Sequence, residues 1–218
     1  MTTREPTVSS SLPTVSAQVE RLIALGVHDI AGLSATALRD LAPDVDDGAL
    51  VVLHPTVVPA SALAPLVRVD GRQAFVVTDF ADVDEFDAVM ALPDAPGYVV
   101  DDPDRGDEMR NWSPDEAAPA IAAAGRTPLL LTEGLYWLLH RPDVLERNSC
   151  FMTIGSRKRK PNGAFDTRTP ALWISNGTGR DGPEHRHAPK VGWCWAGNRH
   201  TWLGIASAAG RRPVRAAD

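Results

Sequence analysis

Four consecutive cations in Ser156-Arg-Lys-Arg-Lys-Pro-Asn-Gly163 stand beside a turn signal, a composition suited to holding two or three phosphates. Arg157 and Arg159 would make bidentate contacts, with Lys158 and Lys160 adding charge. The plainer reading is an exposed basic loop, or one neutralised by carboxylates elsewhere in the chain. Farther on, Asn176-Gly-Thr-Gly-Arg-Asp-Gly182 could present successive backbone N–H groups as an anion nest assisted by Arg180. It lacks the Gly-Lys-Ser/Thr ending of a phosphate-binding P-loop. The following Pro183-Glu-His-Arg-His-Ala-Pro189 cannot open the helix that a dinucleotide fingerprint requires, so a flexible connection competes with the nest.

A third constellation is aromatic. In Val191-Gly-Trp-Cys-Trp-Ala-Gly-Asn-Arg-His-Thr-Trp-Leu-Gly204, two apolar runs flank Gly197-Asn198, a type II′ turn signal. A β-hairpin closed there would set Trp195 opposite His200 and Trp193 opposite Trp202. All four would share one face, with Cys194 and Thr201 on the other. Exposed, that face offers stacking to a base or ring, with Asn198 and Arg199 in reach of a substituent and Lys190 adding charge. Sealed, it is a cross-strand core cluster that needs no ligand.

His200 is the candidate general acid or base, because its unperturbed pKa lies near neutrality. Carboxylates in Asp101-Asp-Pro-Asp-Arg-Gly-Asp-Glu108 could orient it or hold magnesium, although their spacing matches no EF-hand. His185, His187, Cys150 and Cys194 show no Cys-x-x-Cys or His-Glu-x-x-His spacing. No metal site is therefore assigned, and either thiol reads as a small buried apolar group. No cofactor can be named from these residues.

These groups need elements to carry them. Helices are expected over 15–25 and, capped by Ser34, to residue 41. Asp29, Asp40, Asp44, Asp46 and Asp47 surround Arg39 there and would repel phosphate, which excludes DNA reading by this pair. Apolar runs at 49–53, 74–78, 98–101 and 128–131 alternate with helix-compatible stretches at 60–67, 83–92 and 114–124, and a further helix is expected over 132–140. Ser113, Pro114 and Glu116 supply a complete helix start. The alternation predicts an α/β layer with a partly parallel sheet. Strands at 150–154, 171–175, 191–196 and 201–207 follow, with a basic tail at 211–215 that reads as frayed. The expected fold is thus α+β: a helical pair, an α/β layer, then a mostly antiparallel meander. The expected division is a tail at 1–13, an acidic part at 14–147, a basic Trp-rich part at 148–212 and a tail at 213–218, with one compact domain as the alternative.

Charge follows the same division. The net charge of −6 combines −14 over residues 1–147 with +8 over residues 148–218. Such asymmetry points to a polyanion partner, or to acid–base packing within or between copies. No apolar run approaches the roughly 20 residues of a membrane span. With an N-terminus lacking a signal-peptide core and only two cysteines, the chain reads as cytoplasmic.

The segments 146–163, Thr169-Pro-Ala-Leu-Trp-Ile-Ser175 and 188–204, with weaker likeness at Asp104-Arg-Gly-Asp-Glu-Met109 and Asn111-Trp-Ser113, resemble a family of uncharacterised bacterial proteins defined only as a domain of unknown function. The resemblance implies no activity, cofactor or catalytic residue. The leading expectation from the residues is a binding protein taking RNA or a nucleotide on the Trp-rich sheet. A small-molecule enzyme using His200 and a homo-oligomer joined acid to base are the alternatives.

Overall fold

The computed structural model describes residues 11–41 and 48–214, which form an α+β fold. Residues 1–10 of the tail expected at 1–13, the acidic residues 44–47, and residues 215–218 of the tail expected at 213–218 lie outside the described residues. The Thr14 hydroxyl accepts from the Ala17 N–H to start α1 (Val15–Ala24), whose Val15, Val19 and Leu22 face inward. Gly26, at φ 72°, ends it and leads into the short α2 (Val27–Ile30). Ser34 caps α3 (Ala35–Asp40) as its sequence position predicts. Buried Gln18 pins α1 to the first strand, β1 (Leu50–Leu53): its Nε2 donates to Ala49 O at 2.8 Å and its Oε1 accepts from Val51 N–H at 2.9 Å.

Helix α4 (Ala60–Leu63), β2 (Arg68–Val69), β3 (Arg72–Gln73) and β4 (Phe75–Val76) follow. The stretch expected as a helix at 83–92 is instead a 3-10 turn at Val83–Glu85 running into β5 (Asp87–Ala88). Next come β6 (Gly97–Asp101), α5 (Pro114–Ala123) and β7 (Thr127–Pro128). At α5 the capping box is made in full: Glu116 N–H donates to Ser113 Oγ at 3.3 Å, and Ser113 N–H to Glu116 Oε2 at 2.9 Å. Helix α6 (Leu131–His140) has all ten residues buried, as an apolar helix inside a core must be. Gly134 lets it approach the sheet; a Cβ there would meet Leu172 Cδ1 at 2.9 Å.

The remaining strands are β8 (Cys150–Met152), β9 (Ser156–Arg157), β10 (Arg168–Ile174), β11 (Pro189–Trp195), β12 (Leu203–Ile205), β13 (Ser207–Ala208) and β14 (Gly210–Pro213). Four of them, β9, β11, β13 and β14, pair with strands of the first half. Strand β6 lies between β1 and β14, antiparallel to both, so the partly parallel sheet expected over 49–131 does not form. Parallel pairing occurs instead in the five-stranded sheet β12-β8-β10-β11-β4, at its two edges. Strand β5 pairs with β9, and β7 with β13. One buried cluster draws residues from both halves.

The hairpin expected around Gly197-Asn198 is absent. Strand β11 pairs with β10 over seven residues, Arg168↔Trp195 through Ile174↔Pro189, while β12 pairs with β8 at the far edge. The β10 ladder takes one edge of β11 and β4 occupies part of the other, at Lys190 and Val191, while the return chain satisfies its backbone on β8. The predicted type II′ turn does not form either. The chain turns one residue earlier, around Ala196-Gly197, where Asn198 N–H reaches Trp195 O at 3.0 Å and Gly197 keeps a negative φ. It then leaves the sheet, with Asn111 N–H donating to His200 O at 2.8 Å.

The tail expected to fray does not. Val214 is buried, and Arg211 grips Glu133, which is 0% exposed, with both carboxylate oxygens bonded at 2.6 Å. Tyr98 donates to the same carboxylate at 2.8 Å, joining α6, β6 and β14; burial and that carboxylate hold the phenol well above its ordinary range. At the other end of α6, neither ring nitrogen of His140 has a partner among the described residues, and burial, followed by the charge of Arg21, lowers its pKa to about 4. Between about pH 6.5 and pH 4 the unfolded ring gains a proton that the folded ring does not. Stability present above that window is therefore lost as pH falls, with a slope of at most about 1.4 kcal/mol per pH unit from this group. His140→Leu should flatten this part of the Tm–pH curve; an unchanged slope would assign the dependence elsewhere.

Candidate functional site

Between β10, β11 and the loop that joins them lies a cleft of about 350 Å3, lined by Trp173, Trp193, Asp79, Asn176, Arg180 and Lys190, with Thr178, Asp181 and Val77 completing it. Strand register puts Trp173 and Lys190 on one face of the ladder and Trp193 on the other, so the cleft draws one indole from each face, beside the point where β4 ends. Trp173 and Lys190 are directly paired and share a face, with Lys190 Nζ 4.8 Å from the indole centroid. The Trp173 ring lies across the neighbouring strand over Gly192, where a Cβ would meet Trp173 Cη2 at 2.5 Å. Trp202 backs it edge-on at 6.1 Å. On β11, Trp193 sits edge-to-face with Trp195 at 4.6 Å, and its Nε1 donates to Asp79 O at 3.3 Å. Both cleft indoles are half-buried.

The glycine-rich loop forms the third wall. Gly177 takes φ 67° and passes so close to Arg186 that a Cβ would lie 2.5 Å from that residue's own. Ser175 Oγ accepts from Gly177 N–H at 3.0 Å and donates to Asp181 at 2.7 Å. Asp181 also receives Lys190 at 2.5 Å, with both side chains largely buried. The His185 ring stacks on Phe75 at 3.9 Å, tying the loop to β4. Arg180 pairs with Asp79 but remains 77% exposed, the most exposed of the ion-paired cations among the described residues.

Of the sequence candidates, the structure gathers Arg180, Lys190 and Trp193 here. The others stand apart. Trp195 is 47% exposed outside the cleft, and Trp202 touches it only through Trp173. Asn198 and Arg199 lie at the turn, with Arg199 bound to Glu116 and to Asn111 O. His200 meets Trp202 at 5.5 Å; burial lowers its pKa, and its Nε2 is buried with no partner among the described residues. Lys158 bonds Asp82 at 2.8 Å and Glu85 at 2.9 Å, Arg157 donates to Asp166 O, and Arg159 lies 4.3 Å from the Phe165 ring centroid. Lys160, exposed, is held by its backbone N–H to Ala164 O.

The charge division is spent largely inside the molecule. Lys158 and Arg168 pair with Asp82, Arg180 with Asp79, Arg199 with Glu116, Arg211 with Glu133 and Arg212 with Asp101, each joining the basic part to the acidic part. Arg168, followed by Lys158, holds the Asp82 carboxyl well below its usual range. The acidic loop borders a separate groove of about 500 Å3 near Trp137, whose lining does not include His200. Its Asp102 pairs with Arg126, and Asp107 with Arg105 and Arg110. Among the described residues no three His, Cys, Asp or Glu side chains converge as a metal would require. Burial raises the pKa of both thiols, that of Cys194 to about 12.

Trp173, Asp79 and Asp181 escaped the sequence reading as site residues. The glycine run beside Arg180 was the available signal, whereas Asp79 arrives through pairing of β4 with β11.

Fold and cleft together define an α+β protein with an aromatic cleft at the end of a mixed sheet. The chain belongs to DUF5701, a family of unknown function whose pattern matches residues 21–214. No curated protein and no solved structure matches it. No helix among the described residues is long and apolar enough to cross a membrane.

Proposed function

We propose that this protein binds a small ring-bearing molecule with one anionic group, of mononucleotide chemistry, in the cleft between β10, β11 and the glycine-rich loop. One observation carries the reading: two half-buried indoles line the same small cleft as the exposed guanidinium of Arg180. An exposed ion pair contributes little, about 0–1 kcal/mol, so Arg180 can exchange Asp79 for a ligand phosphate at small cost. An indole supplies a stacking face worth about 1–3 kcal/mol per ring.

The neighbouring carboxylates Asp79 and Asp181 favour a single anionic group over the many of RNA, and so does the pairing of Lys158 and Arg168 with Asp82. The same internal pairing removes much of the charge from an acid-to-base homo-oligomer. His200, which meets Trp202 at 5.5 Å, has no carboxylate partner among the described residues to orient it for acid–base work.

Titration of tryptophan fluorescence with adenosine monophosphate tests this. Binding should saturate, and Arg180→Met should weaken it about tenfold, the value of one charge-assisted contact of roughly 1.4 kcal/mol. Trp195→Ala should change it less than about threefold. The logarithmic salt slope should be near one phosphate contact. A slope of about four or more, with RNA bound better than the mononucleotide, would replace this reading with a polyanion surface.

A further inference from the structure

A second cavity, of about 250 Å3, opens at the N-terminal end of α6 and shares no lining residue with the indole cleft. Val83, Phe86 and Leu131 give it an apolar wall, and Thr132 and Ser156 line it as well. Their hydroxyls differ in what they already do. Ser156 Oγ accepts the Leu131 N–H at 2.9 Å, which leaves its own proton to donate. Thr132 is only 5% exposed, and its hydroxyl has no hydrogen-bond partner among the described residues. As a residue lining the cavity, Thr132 has a hydroxyl free to meet the acceptor of a guest.

The charges around the cavity select the occupant. Asp84 and Asp87 stand at the mouth, Asp84 fixed by Ser61 N–H at 2.9 Å and Ser61 Oγ at 2.5 Å. Glu133, behind the first turn of α6, takes the Leu130 N–H at 2.8 Å. Arg211 already meets the charge of Glu133, so Asp84 and Asp87 are the carboxylates that oppose an anion here, despite the usual preference of helix N-terminal ends for negative charge. The apolar wall gives a cationic guest nothing to pair with at depth.

We propose that this cavity is a binding site for a small neutral molecule with an apolar body and one carbonyl oxygen, such as a short-chain amide or ketone. The carbonyl accepts from the Thr132 and Ser156 hydroxyls, and the body rests against Phe86 and Val83. The site is separate from the indole cleft and does not depend on the reading given to it.

Amide 1H–15N shift titrations of the full chain with butanamide, butyrate and butylammonium would decide the matter. Butanamide should shift the Leu131, Thr132 and Ser156 amides in a saturable way and bind at least tenfold more tightly than either ion. Thr132→Val, which keeps shape and removes the hydroxyl, should weaken butanamide at least tenfold with the rest of the spectrum unchanged. Should that variant lose its fold, Ser156→Ala with the same titration serves instead and should also weaken binding. Equal or tighter binding of butyrate, unchanged affinity in these variants, or no shift at these amides would overturn the proposal.

Discussion

Arg211→Ala should destabilise this protein by about 3–5 kcal/mol, the cost of removing one partner from a buried ion pair. The guanidinium is 6% exposed and satisfies both oxygens of Glu133, itself 0% exposed. It also donates to Thr127 Oγ1 at 2.6 Å and Pro128 O at 2.9 Å, so its loss strands acceptors on two elements. Arg211→Lys should cost less, since charge remains but the bidentate geometry does not. Arg211→Met combined with Glu133→Leu should recover most of the loss, because neither charge is then left alone in the core. Urea midpoints read all three. A cost under about 1 kcal/mol for Arg211→Ala, of the size expected for a surface tail, would mean that β14 is not held this way.

The second large effect lies at Gly106. It sits at φ 70°, and a Cβ there would fall 2.0 Å from Ile205 O, inside the approach of the 104–107 loop to β12. Across the same contact, a Cβ on Gly204 would lie 2.3 Å from Arg105 O. Gly106→Ala combines left-handed strain with a backbone collision, together about 4 kcal/mol. Gly125 shares the conformation, at φ 69°, but has nothing within 4 Å of its would-be Cβ. Gly125→Ala should therefore cost only about 1 kcal/mol, and the difference isolates the collision. Equal costs at both positions would deny the close approach.

These two positions show why some of the fold was legible in the sequence and some was not. Signals that act within one turn were readable: the Ser113–Glu116 box, the Ser34 cap and the apolar stripe of α1 all form where expected. Gly197-Asn198 misled by one residue, since the turn closes around Ala196-Gly197. What the turn could not determine was the partner of β11, because a seven-residue ladder with β10 lies some twenty residues upstream. Likewise Arg211 reads as tail until its partner 78 positions away is known. The segment 83–88 carries apolar residues at helix-compatible spacing, yet pairing of β5 with β9 takes it into extended backbone.

The candidate site follows the same rule. Arg180, Lys190 and Trp193 were visible by residue type, but the hairpin face on which Trp193 was to meet Trp195, His200 and Trp202 does not exist. Trp173 takes the place of those three because Gly192 leaves room for its ring. Cationic runs were equally visible; that Asp82 and Glu85 neutralise Lys158 depends on contacts more than seventy residues apart.

The six tryptophans allow one direct test of the central claim that the cleft takes a ring-bearing anion. Adenosine monophosphate should be titrated into uniformly 15N-labelled protein while all six indole Nε1–H signals are followed. The cleft residues Trp173 and Trp193 should shift together and saturate, with Trp112, 41% exposed on the surface, and buried Trp137 unmoved. Shifts confined to Trp112 and Trp195, or none at millimolar nucleotide, would contradict it.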